Sequence, residues 1–251
     1  MAELTDPELE RYARQIVLPQ IGGVGQRRLK AARVALIGAG GIGSAVIPAL
    51  AGAGVGRLTI IDDDVVDLTN LHRQPIFAEA DAGGPKAELA AEFVGRLNQH
   101  VMVSAVQARI DGGNATELLS GHDLVIDGSD NFATRLAVSN ACVGLGVPLL
   151  SAAAVQFQGQ VALFQMRPCY RCFVGDAFDA DDCDSCAEQG VVGALTATVG
   201  AFAALMAINS IVGVGADLAG KLHLFDGMAL NWRTIRIPAD PNCRACGQPT
   251  A

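Results

Sequence analysis

The chain has 251 residues, of which 51% are hydrophobic and 18% are charged, and its formal net charge is −8. This composition excludes disorder as the main state, and the length allows one large core or one core with a small appendage. The acidic balance argues against nonspecific binding to nucleic acid and to anionic membrane surfaces. Seven cysteines, an odd number, favour a reducing compartment over a disulfide framework. We therefore expect a cytoplasmic protein that binds neither nucleic acid nor membrane.

The first 30 residues are predicted to form an N-terminal helical arm. Thr5 or Asp6, followed by Pro7 and Glu8, is typical of a helix start. The sequence that follows is unusually rich in charge.

A strand, a glycine-rich loop and a helix are predicted next. Residues 33–37 form an apolar run that ends in the loop 38–43 and a stretch of small residues. Further strands are predicted at 58–61, 101–106, 124–126 and 148–152, with helices at 86–97 and 132–143 between them. This alternation predicts an α/β fold with a Rossmann-like, doubly wound and mostly parallel sheet over residues 31–154.

The pattern changes after residue 154. Short or alternating apolar runs at 160–166, 222–225 and 232–237 predict antiparallel strands that continue the sheet over residues 155–251, within a single compact domain. Between them, residues 173–189 are rich in Asp, Gly and Ser and predict a long mobile loop.

Residues 189–216 carry no charged side chain, which on length alone would allow a transmembrane helix. Five glycines and several polar side chains interrupt the stretch. We therefore favour a loop followed by a fully buried helix, which could lie at a subunit interface, and keep the membrane span as the alternative.

Two Cys-x-x-Cys pairs, Cys169/Cys172 and Cys243/Cys246, stand far apart in the sequence. Four thiolates in two such pairs suit a closed tetrahedral zinc site, so we predict a zinc lobe with four cysteine ligands and a structural role. The alternative is two unrelated thiol pairs or a redox dithiol.

The glycine loop predicts a phosphate-binding site. Gly38, Gly40, Gly41 and Gly43 allow a ligand to approach backbone amides at a helix N-terminus. Asp62, at the end of the second predicted strand, is placed to accept hydrogen bonds from a ribose. These features fit an NAD-dependent dehydrogenase and an ATP-using enzyme equally well.

Nearby charges favour the ATP-using enzyme. Arg73 and Lys86 follow the second strand, and phosphoryl chemistry requires such cations whereas hydride transfer does not. The alternative for each is an ordinary solvated surface position. Asp130 follows the fourth strand at the edge where ligands bind, so it could ligate Mg²⁺ or cap the next helix.

In this order, these residues resemble the ThiF/MoeB/HesA family, the bacterial relatives of ubiquitin-activating enzymes. The matching motifs are Arg11-Tyr12-x-Arg14-Gln15, Gly38-x-Gly40-Gly41-x-Gly43, Asn70-Leu71-x-Arg73-Gln74, Pro85-Lys86, Asp130-Asn131, the Asp62 region and the four cysteines. The resemblance covers almost the whole chain. It implies an enzyme that binds ATP with Mg²⁺ and adenylates the C-terminal glycine of a ubiquitin-like sulfur-carrier protein ending in Gly-Gly, releasing pyrophosphate. The pathway would be thiamin thiazole or molybdopterin biosynthesis.

The resemblance also implies residue roles. Asp62 would hold the ribose, Arg73 and Lys86 the phosphates, and Asp130 the magnesium ion. The members of this nucleotide pocket would also include Gly38, Gly40, Gly41, Gly43, Asn70 and Asn131.

The resemblance also implies two protein partners, a second subunit and a sulfurtransferase. Arg14 would reach into the site of a second subunit, which implies a homodimer. The chain stops soon after Cys246, so we expect no fused sulfurtransferase domain and a separate sulfurtransferase as partner.

Cys186 matches the cysteine of the family's crossover loop, which in some members takes up the activated carrier. The alternative is an exposed thiol without a role, and Cys183 lies beside it. Two other readings of the whole chain remain: an NAD-dependent oxidoreductase with a structural zinc, and a non-catalytic scaffold that binds a partner.

Overall fold

The computed structural model describes residues 3–175, 190–215 and 218–247. The strands are β1 (Arg33–Ile37), β2 (Arg57–Ile61), β3 (Met102–Val106), β4 (Leu124–Asp127), β5 (Leu149–Val155), β6 (Gln158–Phe164), β7 (Lys221–Asp226) and β8 (Asn231–Arg236). The α-helices are α1 (Asp6–Arg11), α2 (Ala13–Ile16), α3 (Gly22–Ala31), α4 (Gly43–Ala53), α5 (Lys86–Leu97), α6 (Ala115–Leu119), α7 (Phe132–Leu145), α8 (Tyr170–Val174) and α9 (Gly193–Val212). Two 3₁₀ turns, Leu68–Asn70 and Glu79–Asp81, precede α5.

The eight strands form one sheet in the order β3-β2-β1-β4-β5-β6-β7-β8. β1 to β5 are parallel, and β5 to β8 pair antiparallel. This confirms the predicted mixed α/β sheet. The strand direction changes at the turn between β5 and β6, next to the boundary predicted after residue 154.

Helices cover both faces of the sheet, and the alternation along β1 shows why. Val34 and Leu36 face a core that includes side chains from α3, α4, α5 and α9. Ala35 and Ile37 face a second core, built with α6, α7 and α8. All four side chains are buried, as expected for a parallel strand covered on both sides.

The uncharged stretch forms α9, which packs against α4, β5 and β6. By length and composition this helix could span a membrane, and half of its most apolar segment is buried within the fold. The expectation of a fully buried helix was therefore wrong in part, because Leu205 is 55% exposed. On the buried side, a Cβ at Gly200 would lie 2.7 Å from the Ile42 carbonyl oxygen, so only glycine allows this approach to α4.

The arm consists of three helices, α1, α2 and α3. The helix start is as predicted, since the Thr5 backbone N–H donates to Glu8 Oε2 at 2.8 Å. The first helix ends at Arg11, and Tyr12 separates it from α2. Lys30 of α3 pairs with Glu8 at 2.7 Å, which ties the start of the arm to its end.

Candidate nucleotide site

A cavity of about 480 Å³ opens at the carboxyl ends of β1, β2 and β4. The chain leaves β1 towards β2 on one side and reaches β4 on the other, so this is the switch point where open α/β sheets bind ligands. Its lining includes Gly38, Gly40, Gly41, Asp62, Asp64, Asn70, His72, Arg73, Gln74, Lys86, Ser129, Asp130, Arg135 and Thr196. Eight of the ten residues predicted for the nucleotide pocket therefore meet in one place.

The glycine loop connects β1 to α4 in a conformation that side chains would obstruct. Gly38 has a φ of +88°, in the region that favours glycine. A Cβ on Gly43 would lie 2.2 Å from the Gly38 carbonyl oxygen. No side chain of the described residues caps the N-terminus of α4. The Ser44 and Ala45 N–H groups donate to the carbonyl oxygens of Gly40 and Ile42, so among the described residues it is the N–H groups of Gly41, Ile42 and Gly43 that are left to bind an anion.

The Asp62 carboxylate forms one wall of the cavity and is held by backbone donors. The Ala39 N–H donates to Oδ2 at 2.7 Å, and the Asp64 N–H donates to Oδ1 at 2.9 Å. Burial raises the pKa of Asp62, and these two hydrogen bonds oppose the shift. Each carboxylate oxygen can accept a second hydrogen bond, so both ribose hydroxyls could still be bound.

Lys86 is a buried cation rather than a solvated surface residue. Its side chain is 5% exposed, and Nζ lies 2.9 Å from Asp64 Oδ2, whereas the Asp64 side chain is 67% exposed. The Lys86 N–H also donates to the Asp64 carbonyl oxygen at 3.0 Å. Lys86 is thus held at the start of α5 by Asp64, and the exposed Asp64 carboxylate could leave the ion pair for water.

Arg73 is held by the same loop that carries Asn70. Arg73 Nη2 and Gln74 Nε2 both donate to Asn70 Oδ1, at 2.9 and 3.0 Å. Among the described residues, Gln74 Oε1 is buried without a hydrogen-bond partner, and so is Ser129 Oγ. Buried polar atoms normally have partners, so these two mark places where a polar ligand fits.

Asp130 and Asn131, which follow β4 in the sequence, differ in role. Asn131 Oδ1 accepts a hydrogen bond from the Thr134 N–H at 2.8 Å and is the N-cap of α7. Asp130 is exposed and lines the cavity, so the alternative that Asp130 caps this helix was wrong. A direct contact of Asn131 with a nucleotide stays a prediction, since neither it nor Gly43 is among the lining residues.

Arg135 is a site residue that the sequence reasoning missed. It is buried, and it donates to Ser151 Oγ at 3.0 Å, to the Ala152 carbonyl oxygen at 2.9 Å and to the Ser129 carbonyl oxygen. It therefore braces the turn before Asp130 against β5. The sequence did contain a signal for it, because Arg135 is the one charged residue of the otherwise uncharged helix α7.

Arg14 is exposed and does not line the cavity of its own chain. The residues beside it contact the C-terminal end of α4, whereas the glycine loop lies at the N-terminal end. A helix of eleven residues is about 16 Å long, more than an arginine side chain can span. Arg14 is therefore remote from the pocket of its own chain.

The four predicted zinc cysteines form a compact cluster in which all sulfur atoms lie within 4.8 Å of one another. Cys169 Sγ is 3.6 Å from Cys243 Sγ, and Cys172 Sγ is 3.4 Å from Cys246 Sγ. Zn–S bonds of about 2.3 Å in a tetrahedron place sulfurs about 3.8 Å apart, so the cluster could hold a metal ion. Cys183 and Cys186 lie outside the described residues.

One thiol of the cluster is already prepared for ionisation. Burial opposes charge on Cys243, but the backbone N–H groups of Cys246 and Ala245, together with the thiols of Cys169 and Cys246, outweigh it and lower its pKa to about 7. Burial instead raises the pKa of Cys169 and raises that of Cys246 to about 11. A cysteine binds a metal ion as the thiolate, so Cys243 is the cysteine of the three that ionises most readily to do so. In contrast, burial and the charge of Asp127 raise the pKa of Cys142 to about 12, which makes that thiol inert.

A glycine loop, a carboxylate and cations at the switch point of a doubly wound sheet define a nucleotide-binding α/β protein. The chain belongs to the ThiF family, whose model matches residues 12–245. It is 44% identical over 254 residues to the sulfur carrier protein adenylyltransferase of Thermus thermophilus, covering 98% of this chain and 94% of that protein. It is 40% identical to the molybdopterin-synthase adenylyltransferase of Salmonella typhimurium, covering 99% of this chain and all of that protein.

Solved structures agree on the fold. E. coli MccB, solved with ATP, superposes with a TM-score of 0.82 at 23% identity, covering 97% of this chain and 75% of that one. With adenylyltransferases at about 40% identity over nearly its whole length, the protein is an enzyme of the nucleotidyltransferase class.

Proposed function

We propose that this enzyme uses ATP and Mg²⁺ to adenylate the C-terminal glycine of a ubiquitin-like sulfur-carrier protein that ends in Gly-Gly. The observation that carries the proposal is the cavity in which a glycine loop, Arg73, Lys86 and Asp130 meet at the switch point of the sheet. Both relatives of this length that are named above are adenylyltransferases. A dehydrogenase would leave the two cations without a role.

The chemistry requires alignment and charge neutralisation rather than a general base. The attacking carboxylate is already ionised at neutral pH, so it needs only to be held in line with the α-phosphorus. Arg73 and Lys86 would neutralise the charge that develops on the departing pyrophosphate. Lys86 is suited to this because its counter-ion, Asp64, is exposed and can return to water when phosphate replaces it.

Nucleotide and metal would be held by different side chains. Asp62 would accept hydrogen bonds from the ribose, and the N–H groups at the start of α4 would bind phosphate. Asp130 is the exposed carboxylate of the cavity wall nearest the α7 N-terminus, and a hard oxygen ligand of this kind suits Mg²⁺. The magnesium ion would supply further charge neutralisation on the phosphates.

Zinc is the metal we assign to the four cysteines. An all-thiolate set with near-tetrahedral sulfur spacing suits a structural Zn²⁺ with no open position for chemistry. The first pair flanks the start of α8, and the second follows β8, so the ion would bind the two ends of the antiparallel half together.

A homodimer would explain the exposed arm. Arg14 is remote from its own pocket, so it could serve only a neighbouring subunit. Val17, Leu18 and Val24 of the arm are 47–72% exposed, which is typical of a surface that another subunit covers. Each subunit would then complete the site of its partner.

We also propose a pathway, a sulfur source, a covalent thiol and a compartment for this enzyme. The carrier would be the one used for thiamin thiazole or for molybdopterin, and a separate sulfurtransferase would deliver sulfur to the adenylated glycine. Cys186 would take up the activated carrier, in a protein that works in the cytoplasm. The net charge of −8 disfavours nonspecific binding to nucleic acid and to anionic membranes.

ATP–pyrophosphate exchange tests the proposed reaction. The probes are candidate carrier proteins ending in Gly-Gly, with the same carriers lacking the last glycine as matched controls. We expect exchange only with intact carriers. Hydride transfer with NAD would favour the oxidoreductase, and carrier binding without exchange would favour the scaffold.

Mixed dimers test the shared site. Arg14→Ala subunits and Asp130→Ala subunits, co-expressed with different tags, form a heterodimer in which one pocket has an intact Asp130 and receives a normal Arg14 from the other subunit. Each homodimer should be inactive, and the purified heterodimer should recover about half of the wild-type exchange. A heterodimer as inactive as its parents would show that Arg14 serves its own chain, and an active Arg14→Ala homodimer would show that Arg14 serves no site.

A further inference from the structure

Two sets of hydrogen-bonded side chains, buried except for the half-buried Gln15, hold the arm against the C-terminal end of α4. The first set joins the arm to the residue that follows α5. Asn98 Nδ2 donates to the Tyr12 hydroxyl at 2.8 Å and to the Ala51 carbonyl oxygen at 2.7 Å. Tyr12 is 3% exposed and Asn98 is 1% exposed, so water does not compete for these hydrogen bonds.

The second set lies on the other side of Arg14. Gln15 Nε2 and Gln26 Nε2 both donate to the Ala53 carbonyl oxygen, at 3.1 and 2.9 Å. Gln15 also donates to Gln26 Oε1 at 3.1 Å. Gln26 is fully buried, and both glutamines satisfy a carbonyl that the end of α4 leaves without a partner inside the helix.

Gly54 completes the arrangement. It follows α4 with a φ of +81°, and a Cβ there would lie 2.5 Å from Cζ of the Tyr12 ring. The ring therefore packs directly on the backbone at the end of this helix. Asn98, Gln26 and Gly54 together fix the residues on both sides of Arg14, while Arg14 itself remains exposed.

These hydrogen bonds matter because the helices of the arm are short. α1 and α2 have six and four residues, and helices of this length are not stable in isolation. Their position depends on the contacts with α4. A guanidinium that must meet a phosphate in another subunit gains from a fixed base, because less conformational freedom is lost when it binds.

We infer that Asn98 and Gln26 are positioning residues for the reaction in the partner subunit: they hold the Tyr12–Gln15 segment so that Arg14 points out of its own chain towards the neighbouring pocket. This inference rests on the proposed function and its shared site. Neither residue lines the cavity, so neither is expected to contact the nucleotide.

The test determines in which subunit a substitution of Asn98 lowers the rate of ATP–pyrophosphate exchange. The parent is the heterodimer of Arg14→Ala and Asp130→Ala subunits, in which the Asp130→Ala subunit supplies the arm and the other supplies the pocket. Asn98→Ala is added either to the subunit that supplies the arm or to the one that supplies the pocket. The two heterodimers have the same composition and differ only in this placement.

We expect exchange to fall about tenfold, mainly in kcat, when Asn98→Ala is in the subunit that supplies the arm. The other placement should keep the activity of the parent heterodimer. Tyr12→Phe, which removes the hydroxyl but keeps the ring on Gly54, is placed in the same way in case Asn98→Ala does not fold. Thermal unfolding of each heterodimer verifies that it is folded at the assay temperature.

Several outcomes would overturn the inference. A loss that follows the pocket subunit would mean that Asn98 acts through α4 on its own glycine loop. Equal losses in both placements, or none in either, would show that the contact only stabilises the fold. An inactive parent heterodimer would disprove the shared site and this inference together, whereas absent exchange in the wild-type enzyme would disprove the proposed function itself.

Discussion

Asp130 and Asn131 are neighbours whose side chains serve different structures. Asn131 caps α7, and Asp130 stands free in the wall of the cavity. Substitutions at these two positions therefore distinguish the loss of a proposed Mg²⁺ ligand from the loss of a helix cap.

Asp130→Ala should reduce adenylate formation by about a hundredfold or more, because the metal-bound triphosphate loses an anchor. Its thermal stability should change little, since the carboxylate is exposed. Asn131→Ala is the matched control and should cost about 1 kcal/mol of stability through the lost cap while retaining most exchange. Steady-state exchange and thermal unfolding measure the two effects. The reverse result, with exchange intact in Asp130→Ala, would remove Asp130 from the reaction.

At the residue scale, the sequence predicted chemistry that follows local rules. Glycines after an apolar strand and a carboxylate at the next strand end lie in the predicted cavity. What could not be predicted depends on contacts between distant segments. The burial of Lys86 against Asp64 and the brace that Arg135 provides to Ser129 depend on how strands and helices are stacked, which no local pattern records.

At the scale of elements, the arm depends on a buried ion pair. Glu8 accepts hydrogen bonds from Lys30 and from Thr5. Burial alone would raise the pKa of Glu8, but these partners outweigh it and lower the pKa below its ordinary value. A carboxyl group with a depressed folded-state pKa stabilises the fold above its unfolded pKa of about 4.3, and this contribution is lost as the pH falls through the folded value.

Glu8→Gln should therefore destabilise the protein by about 1–2 kcal/mol at pH 7, and the difference from wild type should shrink as the pH falls below about 4. Urea unfolding at a series of pH values measures this difference. Glu10→Gln, at an exposed position of the same helix, is the control and should change little. A gap between Glu8→Gln and wild type that is constant with pH would show that the carboxylate charge does not stabilise the arm.

Strands that begin with a clear apolar or alternating run, and the twelve-residue helix α5, were predicted well, whereas the shortest helices were not. β1 and α5 have the bounds that the sequence indicated, and β7 and β8 differ from prediction by one residue at each end. The five-residue helices α6 and α8 were missed because so short a segment has no clear helical period. The break of the arm at Tyr12 was missed because tertiary contacts with Asn98 and Gly54 determine it.

For the whole molecule, the cysteine cluster predicts that metal and folding are linked. Elemental analysis should find one zinc ion per chain, and a strong chelator should lower the melting temperature, because metal-binding energy contributes to folding. Exchange measured below that new melting temperature should be retained, since the cluster is not part of the cavity lining. Cys169→Ser should reproduce the effect of the chelator without any chelator present. Native protein without zinc, or a chelator that stops exchange in protein that remains folded, would contradict a structural role.

The four sulfurs also set an order of events during synthesis. Cys169 and Cys172 leave the ribosome first, and 70 residues that include α9, β7 and β8 must follow before Cys243 appears. Until then the early pair has no partners, and a thiol pair in that state is open to oxidation or to the wrong metal. Newly made chains should thus be more sensitive to oxidants than folded enzyme. Under oxidative stress, the enzyme would be lost mainly because new copies fail to fold, before folded copies are damaged.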